Sequence, residues 1–401
     1  MTLTVDTRAA GDVADRLARL APIVETLRAE DASAERERVL QHDAVAELRR
    51  IGILTLRVPR RYGGPGGSTR DVLSAVIQLA SGSSNVAQAL RAHFGFSERL
   101  LSNRAGDAER AEWFPKINAG LVVGNAITDA RGRAPSSSET TVLADANGVL
   151  RLNGHKFYST GTLYADAIAV SAIDAAGNDV QVIVPTDRDG VELFDDWDGF
   201  GQRTTASGAT RFTDVEIAPV EVTTVSDGAH LGHSTTFLQL YLAAVAAGIA
   251  AAVRRDAVEY VQTKARPAAH SVADRAGADP FVLHAVGEIA AAAAAAETLV
   301  LSAADTLDTL VDSGSVDDAE ALADAAVEVA QAQLVAERLT MQSAQRLFDT
   351  GGASATSRTL NLDRHWRNAR TVASHNPLDY KAHAVGDFLV NGTTPPANGY
   401  F

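Results

Sequence analysis

Residues 151–161 read RLNGHKFYSTG. Apolar and polar residues alternate on both sides of Asn153-Gly154, and strand-type residues flanking an Asn-Gly pair spell a tight hairpin turn. The second strand of that hairpin ends in Tyr158, Ser159, Thr160 and Gly161, a tip of hydroxyls and bare backbone. Such a tip offers hydrogen bonds to the rim of a flat, polar-edged heterocycle with no bulky side chain in the way.

Working outward, the chain keeps this character from about 121 to 222. The runs 121–127, 141–144, 149–153, 155–159, 168–173, 180–184, 191–194 and 209–217 are short and strand-like. They are broken at Asn147-Gly148, Asn153-Gly154 and Gly177-Asn178, all hairpin chemistry. The pattern predicts a compact antiparallel β domain over 121–225. Its loop 195–208, DDWDGFGQRTTASG, carries Trp197, Phe200 and Arg203 and serves either as pocket wall or as plain connection.

Both flanks read as helical. Leu17, Leu20, Val24 and Leu27, and again Leu40, Val45, Leu48 and Ile51, recur at helical spacing. Residues 57–68, RVPRRYGGPGGS, are too rich in Pro and Gly for helix, and no Gly-Lys-Ser/Thr follows to make a phosphate-binding loop. Ser68 through Asp71 caps the next helix, and a further one over 85–101 carries Arg91, His93 and Phe94. After 235 the pattern predicts helices over 235–265, 281–312, 317–348, 357–374 and 378–389. Ala-rich faces suit the second and third to close packing in a bundle. Gly351-Gly352 breaks the third, and Pro377 stops the fourth. Asp305, Asp308 and Asp312 repeat at helical spacing as a solvated face. His230 and His233 have metal-ligand spacing but no third ligand nearby.

Composition narrows the function. The 401 residues carry a net charge of −14, which argues against nucleic acid as a partner. The chain has no cysteine, so disulfides, thiol catalysis and iron–sulfur clusters are excluded. The acids within the first twenty residues do not fit a secretory signal. Residues 228–253 hold no Asp, Glu, Lys or Arg, yet their His, Gln and small residues fit a buried bundle helix better than a membrane span. The reading is a cytoplasmic protein with neither membrane nor metal.

A helical domain over 1–120, a β domain over 121–225 and a helical bundle with a tail over 226–401 resemble the acyl-CoA dehydrogenase superfamily in order and size. The fold class is α+β. Tyr158, Ser159, Thr160 and Gly161 resemble the segment that contacts flavin in that superfamily. Asn125 and Thr128, within NAITD at 125–129, sit where its earlier flavin-contacting loop begins. Arg266 follows Tyr260 much as the flavin-phosphate arginine does.

The late part of the chain departs from the dehydrogenases, which need a carboxylate base. Residues 363–381 read DRHWRNARTVASHNPLDYK. This resembles the flavin-dependent monooxygenase branch typified by dibenzothiophene and dimethylsulfone monooxygenases. His375 stands at the base position, with Asp379 the nearest acid, so an FAD-dependent acyl-CoA dehydrogenase or related oxidase stays open as an alternative. Arg266 lacks the following Phe-Gly, and counting back from Gly351-Gly352 the glutamine position holds Phe348, with Gln345 a turn earlier. Losing the adenosine-side contacts favours FMN over FAD.

The resemblance implies reduced FMN delivered by a separate flavin reductase, a flavin hydroperoxide formed with O2, and transfer of one oxygen atom to a small organosulfur or aromatic substrate. His375 is expected to transfer protons, as a neutral imidazole can near pH 7, with His93 as partner and Ser159 at the reacting edge. Arg370, Tyr380 and Lys381 join the cofactor set, and Phe94, Trp197 and Phe200 the substrate pocket. Arg367 and Asn368 are expected to be structural. The resemblance also implies a homo-oligomer, a tetramer.

Overall fold

The computed structural model describes residues 12–102, 105–129, 139–224, 232–316, 318–396, 399 and 401. Seven helices come first: α1 (Val13–Ala18), α2 (Leu20–Glu37), α3 (His42–Arg50), α4 (Thr69–Gly82), α5 (Ser84–Ala89), α6 (Arg91–Leu101) and α7 (Asp107–Asn118). The expected helix over 85–101 is two helices that meet at Leu90, and the Pro/Gly loop 57–68 holds a short 3-10 turn at Arg60–Tyr62. At α4 the capping box forms as read: Ser68 Oγ accepts from the Asp71 amide, and the Asp71 carboxylate accepts from the Ser68 amide. Asp308 also caps α4, accepting from the amides of Thr69 and Arg70 at 2.6 and 3.0 Å. Asp305 pairs with Arg70. Two of the three acids expected on a solvated face therefore hold the N-terminus of another helix, where the helix dipole favours negative charge.

Nine strands follow: β1 (Val123–Ala126), β2 (Thr128–Asp129), β3 (Thr141–Ala144), β4 (Leu150–Phe157), β5 (Ala167–Ile173), β6 (Asp179–Pro185), β7 (Val191–Leu193), β8 (Thr210–Ile217) and β9 (Val222–Thr224). They form one sheet in the order β7-β8-β4-β3-β5-β6-β9, with β1 beside β5 and β2 beside β4. The sheet is mixed, because β1 and β3 both run parallel to β5. That corrects the antiparallel expectation.

A second correction falls on the opening stretch. Asn153-Gly154 is not a turn but the middle of the continuous strand β4, with β3 on one side and β8 on the other. The Asn-Gly chemistry serves a β-bulge instead. The register of β4 against β8 jumps between Leu152 and Gly154, and Asn153 Oδ1 accepts from the amide of Asp214, whose φ of 52° marks the bulged residue. A side chain at 154 would collide with Thr140. The other two hairpins stand where read, with Gly148 and Gly177 at positive φ.

Alternation along β5 shows how the sheet sits. Ile168, Val170 and Ala172 enter a core within the β domain, while Ala167 and Ala169 face Phe96, Trp113 and Phe114 of α6 and α7. Both faces of the strand are therefore buried.

The C-terminal part comprises α8 (His233–Thr263), α9 (Pro280–Ser313), α10 (Ala319–Arg346), α11 (Arg364–Val372) and α12 (Leu378–Asn391). The helix expected over 357–374 is thus confined to its second half. The bundle takes α4 from the N-terminal part as a member packed on α8. Gly248 of α8 makes this crossing close, since a Cβ there would meet Ile77 O at 2.6 Å. One hydrophobic core runs from Leu20 of α2 through α4 and α8 to Val372 of α11, so the two helical parts are joined rather than separate. Helices α8 and α9 are each long and apolar enough to cross a membrane; α8 is wrapped in protein, whereas α9 leaves much of its surface open.

Candidate active site

The short helix α5 connects the β4 tip to the late part of the chain. Asn85 Oδ1 accepts from the Thr204 amide at 3.1 Å, and Ser84 Oγ accepts from Gln202 Nε2 at 3.2 Å. Gly161 lies against the carbonyl of Ala89, at φ +80° and with no room for a Cβ. Gln88 Nε2 is 3.3 Å from His375 Nε2. Loop 195–208, the β4 tip and His375 are therefore held by Ser84, Asn85, Gln88 and Ala89 of one short helix.

The loop is part of this site and not a plain connection. Gly161 donates its amide to the carbonyls of Thr205 and Ala206, Thr160 Oγ1 is 2.8 Å from Ser207 Oγ, and the Gln202 amide donates to Asn368 Oδ1 at 2.6 Å. Tyr158, Gln202 and Ala206 all have φ near +50°, a costly conformation for residues with a side chain. Its concentration in facing segments fits a functional site whose surroundings dictate the backbone.

Five polar atoms here are buried without a hydrogen-bond partner: Ser159 Oγ, Asn125 Oδ1, Gln88 Oε1, Asn85 Nδ2 and Gln202 Oε1. Buried polar atoms are almost always satisfied, so orphans at one place ask for a ligand. Asn125 and the β4 tip are adjacent, as the Asn125 amide donates to Thr160 O at 3.4 Å. Thr128 is exposed on β2 opposite Phe157. An aromatic rim surrounds this edge. Tyr158, 61% exposed, meets Trp197 edge-on at 5.8 Å, and Phe200, 55% exposed, stacks on Trp366 at 6.1 Å.

His375 Nδ1 lies 3.0 Å from the Val372 carbonyl, which can only accept. Nδ1 therefore carries the hydrogen and Nε2 presents its lone pair. Burial and then the nearby Arg91 charge push the imidazole down to about 4. Neutral at pH 7, it is thus further from titration than the sequence suggests, although the residue itself is exposed. Arg91, the first residue of α6, is half-buried and spends its Nε on Leu238 O at 3.1 Å. Behind His375, Asn376 bonds to Gln239, which also lies 3.4 Å from Lys381 Nζ. Burial raises the neighbouring Glu337 carboxyl to about 7 and lowers Lys381 to about 8.

Several sequence expectations need correction. His93 has no exposed surface; Nε2–H reaches Leu54 O at 2.6 Å and Nδ1 accepts from the Val123 amide at 3.3 Å. With both nitrogens used by backbone, it is a core histidine. Phe94 is likewise buried in the helical core, against His93 and Tyr241. Lys381 is buried beneath Phe401, while Tyr380 and Arg370 are exposed. Arg367 pairs with Glu35 and Asp363, a structural role as read.

Arg266, Phe348, Gly351 and Gly352 lie at the other end of α8, where Tyr260 Oη reaches Gly351 O at 3.5 Å. From Gln239 to the end of α8 is roughly 36 Å along the helix axis, so one chain does not bring these residues to the His375 site. His230 lies outside the described residues, and His233 faces Glu98 at 3.6 Å. Among the described residues no cluster has the composition of a metal site. Sequence reading gave Gln88 no place and Arg91 no role, because their relation to residue 375 is set by tertiary packing and leaves no local signal.

Comparison with known proteins agrees with this architecture. Residues 14–121 match the acyl-CoA dehydrogenase N-terminal domain, and residues 240–380 the acyl-CoA dehydrogenase C-terminal domain. The chain is 30% identical over 366 residues to the probable FMNH2-dependent monooxygenase SfnC of Pseudomonas putida, covering 88% of this chain and 89% of that one. Among solved structures it is similar to FMN-bound TdsC of Paenibacillus sp. A11-2, with a TM-score of 0.88, 28% identity and coverage of 96% and 100%. TdsC is a dibenzothiophene monooxygenase, also solved with indole. The methanesulfinate monooxygenase MsuC of Pseudomonas fluorescens superposes with a TM-score of 0.85 at 29% identity, covering 96% of this chain and 99% of that one.

Proposed function

The chain belongs to the acyl-CoA dehydrogenase family, in its flavin-dependent monooxygenase branch, and from that premise we propose that it is the oxygenase of a two-component system. In this reading a separate reductase delivers reduced FMN, and one atom of O2 passes to a small organosulfur or heterocyclic substrate. The observation that carries it is the company His375 keeps. Among the described residues its neighbours are Gln88, Arg91 and backbone carbonyls, with no carboxylate among the groups that act on it. A dehydrogenase of this fold needs a carboxylate there to take a proton from carbon. Asp379, the alternative, is exposed on the first turn of α12.

The residues present fit FMN. Ser159 Oγ and Asn125 Oδ1 would hold the polar edge of the isoalloxazine, and the orphaned state of both is the support. When bound, the reduced flavin supplies the electrons that activate O2. The chain's own tasks are to orient and to exclude water. Gly161 and the loop 195–208 set the edge, Tyr158 and Trp197 cover it, and His375 offers an acceptor at Nε2 for a proton that moves during transfer. Arg266 is the proposed phosphate ligand, contributed by a second copy of this chain, since α8 separates it from the ring site. The apolar outer face of α9, with Phe281 and Leu283 exposed, supports such self-association; the proposed assembly is a homotetramer and the proposed location the cytoplasm.

The test is to mix anaerobically reduced FMN–protein with oxygenated buffer and follow flavin absorbance. A transient flavin–oxygen species, shortened in lifetime by His375→Ala, is expected. Immediate reoxidation without a transient, or reduction of bound flavin by an acyl-CoA, would overturn the assignment.

A further inference from the structure

We propose that Gln239 is a positioning residue for His375, acting through Asn376; the consequence for catalysis rests on the monooxygenase reading above. His375 lies in the connection 373–377 between α11 and α12 and is itself exposed. Its ring is tied at Nδ1 to Val372 O at 3.0 Å and at Nε2 to Gln88 at 3.3 Å. Two neutral contacts barely offset the entropy of fixing an exposed side chain. The ring therefore keeps its place only if the backbone beneath it is held.

Asn376 holds that backbone. Of the polar residues in the connection, Ser374 and His375 are exposed, whereas Asn376 is buried and its Nδ2 donates to Gln239 Oε1. Gln239 is 1% exposed and stands near the start of α8, which is wrapped in protein. Its amide has one orientation. Oε1 faces two donors, Asn376 Nδ2 and Lys381 Nζ at 3.4 Å, while Nε2 donates to Gly399 O at 2.6 Å. Reversed, the amide would set its NH2 against an ammonium and another NH2, and its oxygen against a carbonyl oxygen. Lys381 is covered in turn by Phe401, whose ring centroid lies 5.1 Å from Nζ. A buried amide satisfied on both sides specifies a single arrangement of its partners.

The same turn of α8 carries a second group of the site. Leu238 O accepts from Arg91 Nε at 3.1 Å, and the Leu238 side chain packs on Gly95 of α6, where a Cβ would meet it at 2.6 Å. Residues 238 and 239 thus set α6, Arg91 and, through Asn376, the segment of His375 against one rigid helix. Without the Gln239 acceptor, Asn376 Nδ2 would be buried and unpaired, at the full cost of its desolvation. The connection relaxes by bringing that group to water, and His375 moves with it.

The test uses the full chain carrying 15N-labelled histidine. At pH 7 the imidazole nitrogen shifts of the parent should report His375 as the Nδ1–H tautomer. In Gln239→Leu and in Asn376→Ala the Nε2–H form, the major one of an imidazole in water, should take over. The titration midpoint should rise from about 4 toward the ordinary 6.5 as burial is lost. Thermal melts establish that the variants fold. Gln239→Glu keeps an acceptor for Asn376 and should retain the Nδ1–H form. Acting through one contact, the two sites should not add: Gln239→Leu with Asn376→Ala should shift no further than either alone. The transient of the stopped-flow test should shorten in Gln239→Leu as it does in His375→Ala. A folded Gln239→Leu or Asn376→Ala that keeps the Nδ1–H form would overturn the proposal, as would a double variant whose shifts add or a parent in the Nε2–H form. The nitrogen shifts are read without flavin turnover, so a parent lacking the transient would overturn the monooxygenase reading and leave the positioning of His375 standing.

Discussion

Gln88 Nε2 lies 3.3 Å from His375 Nε2, a contact between residues 287 positions apart. Because Nδ1 is committed to Val372 O, this contact falls on the one ring atom left to accept a proton. Gln88→Glu should therefore place a carboxylate beside that atom and raise the His375 pKa from about 4 by about one to three units. Proton NMR titration of the imidazole reads the effect, and an unmoved midpoint would show that the two side chains do not face each other in solution.

Ser159→Ala separates stability from binding. The hydroxyl is buried and has no partner, so its removal should change unfolding free energy by less than about 0.5 kcal/mol. FMN affinity should nevertheless fall roughly fivefold, the value of one hydrogen bond. A stability loss with unchanged flavin binding would make Ser159 a packing residue.

The fold should lose stability below neutral pH through His93. Burial holds its folded-state pKa at about 4, below the ordinary 6.5. A depressed pKa means that the contribution is present above 6.5 and lost as pH falls toward 4. Between pH 7.5 and 4.5 the loss from this residue is about 2.5 kcal/mol. Urea unfolding at the two pH values measures the drop, and His93→Asn, which cannot titrate, should reduce it.

How much of this was legible varied with the range of the interaction. The Ser68–Asp71 capping box, the Asn147-Gly148 and Gly177-Asn178 turns and the five C-terminal helices depend on residues within a few positions of one another, and all are present. Asn153-Gly154 had the same local signal as the true turns and became a bulge, because β8 and Thr140 were waiting on either side of β4. His93 and His375 could not be ranked from sequence. Both are histidines near helix ends or turns, and only the backbone groups of Leu54 and Val123 remove the first from chemistry.

The sequence by itself determined the class of fold, the helix cap at Ser68 and the turns at Gly148 and Gly177, since periodicity, caps and turn residues act locally. The tertiary structure alone decided that Gln88 and Arg91 join the imidazole of His375, that Asp308 caps a helix more than two hundred residues earlier, and that Arg266 stands at the far end of α8. Those relations are set by how rigid helices cross and how far they reach. No short window of residues encodes a distance between two ends of the chain.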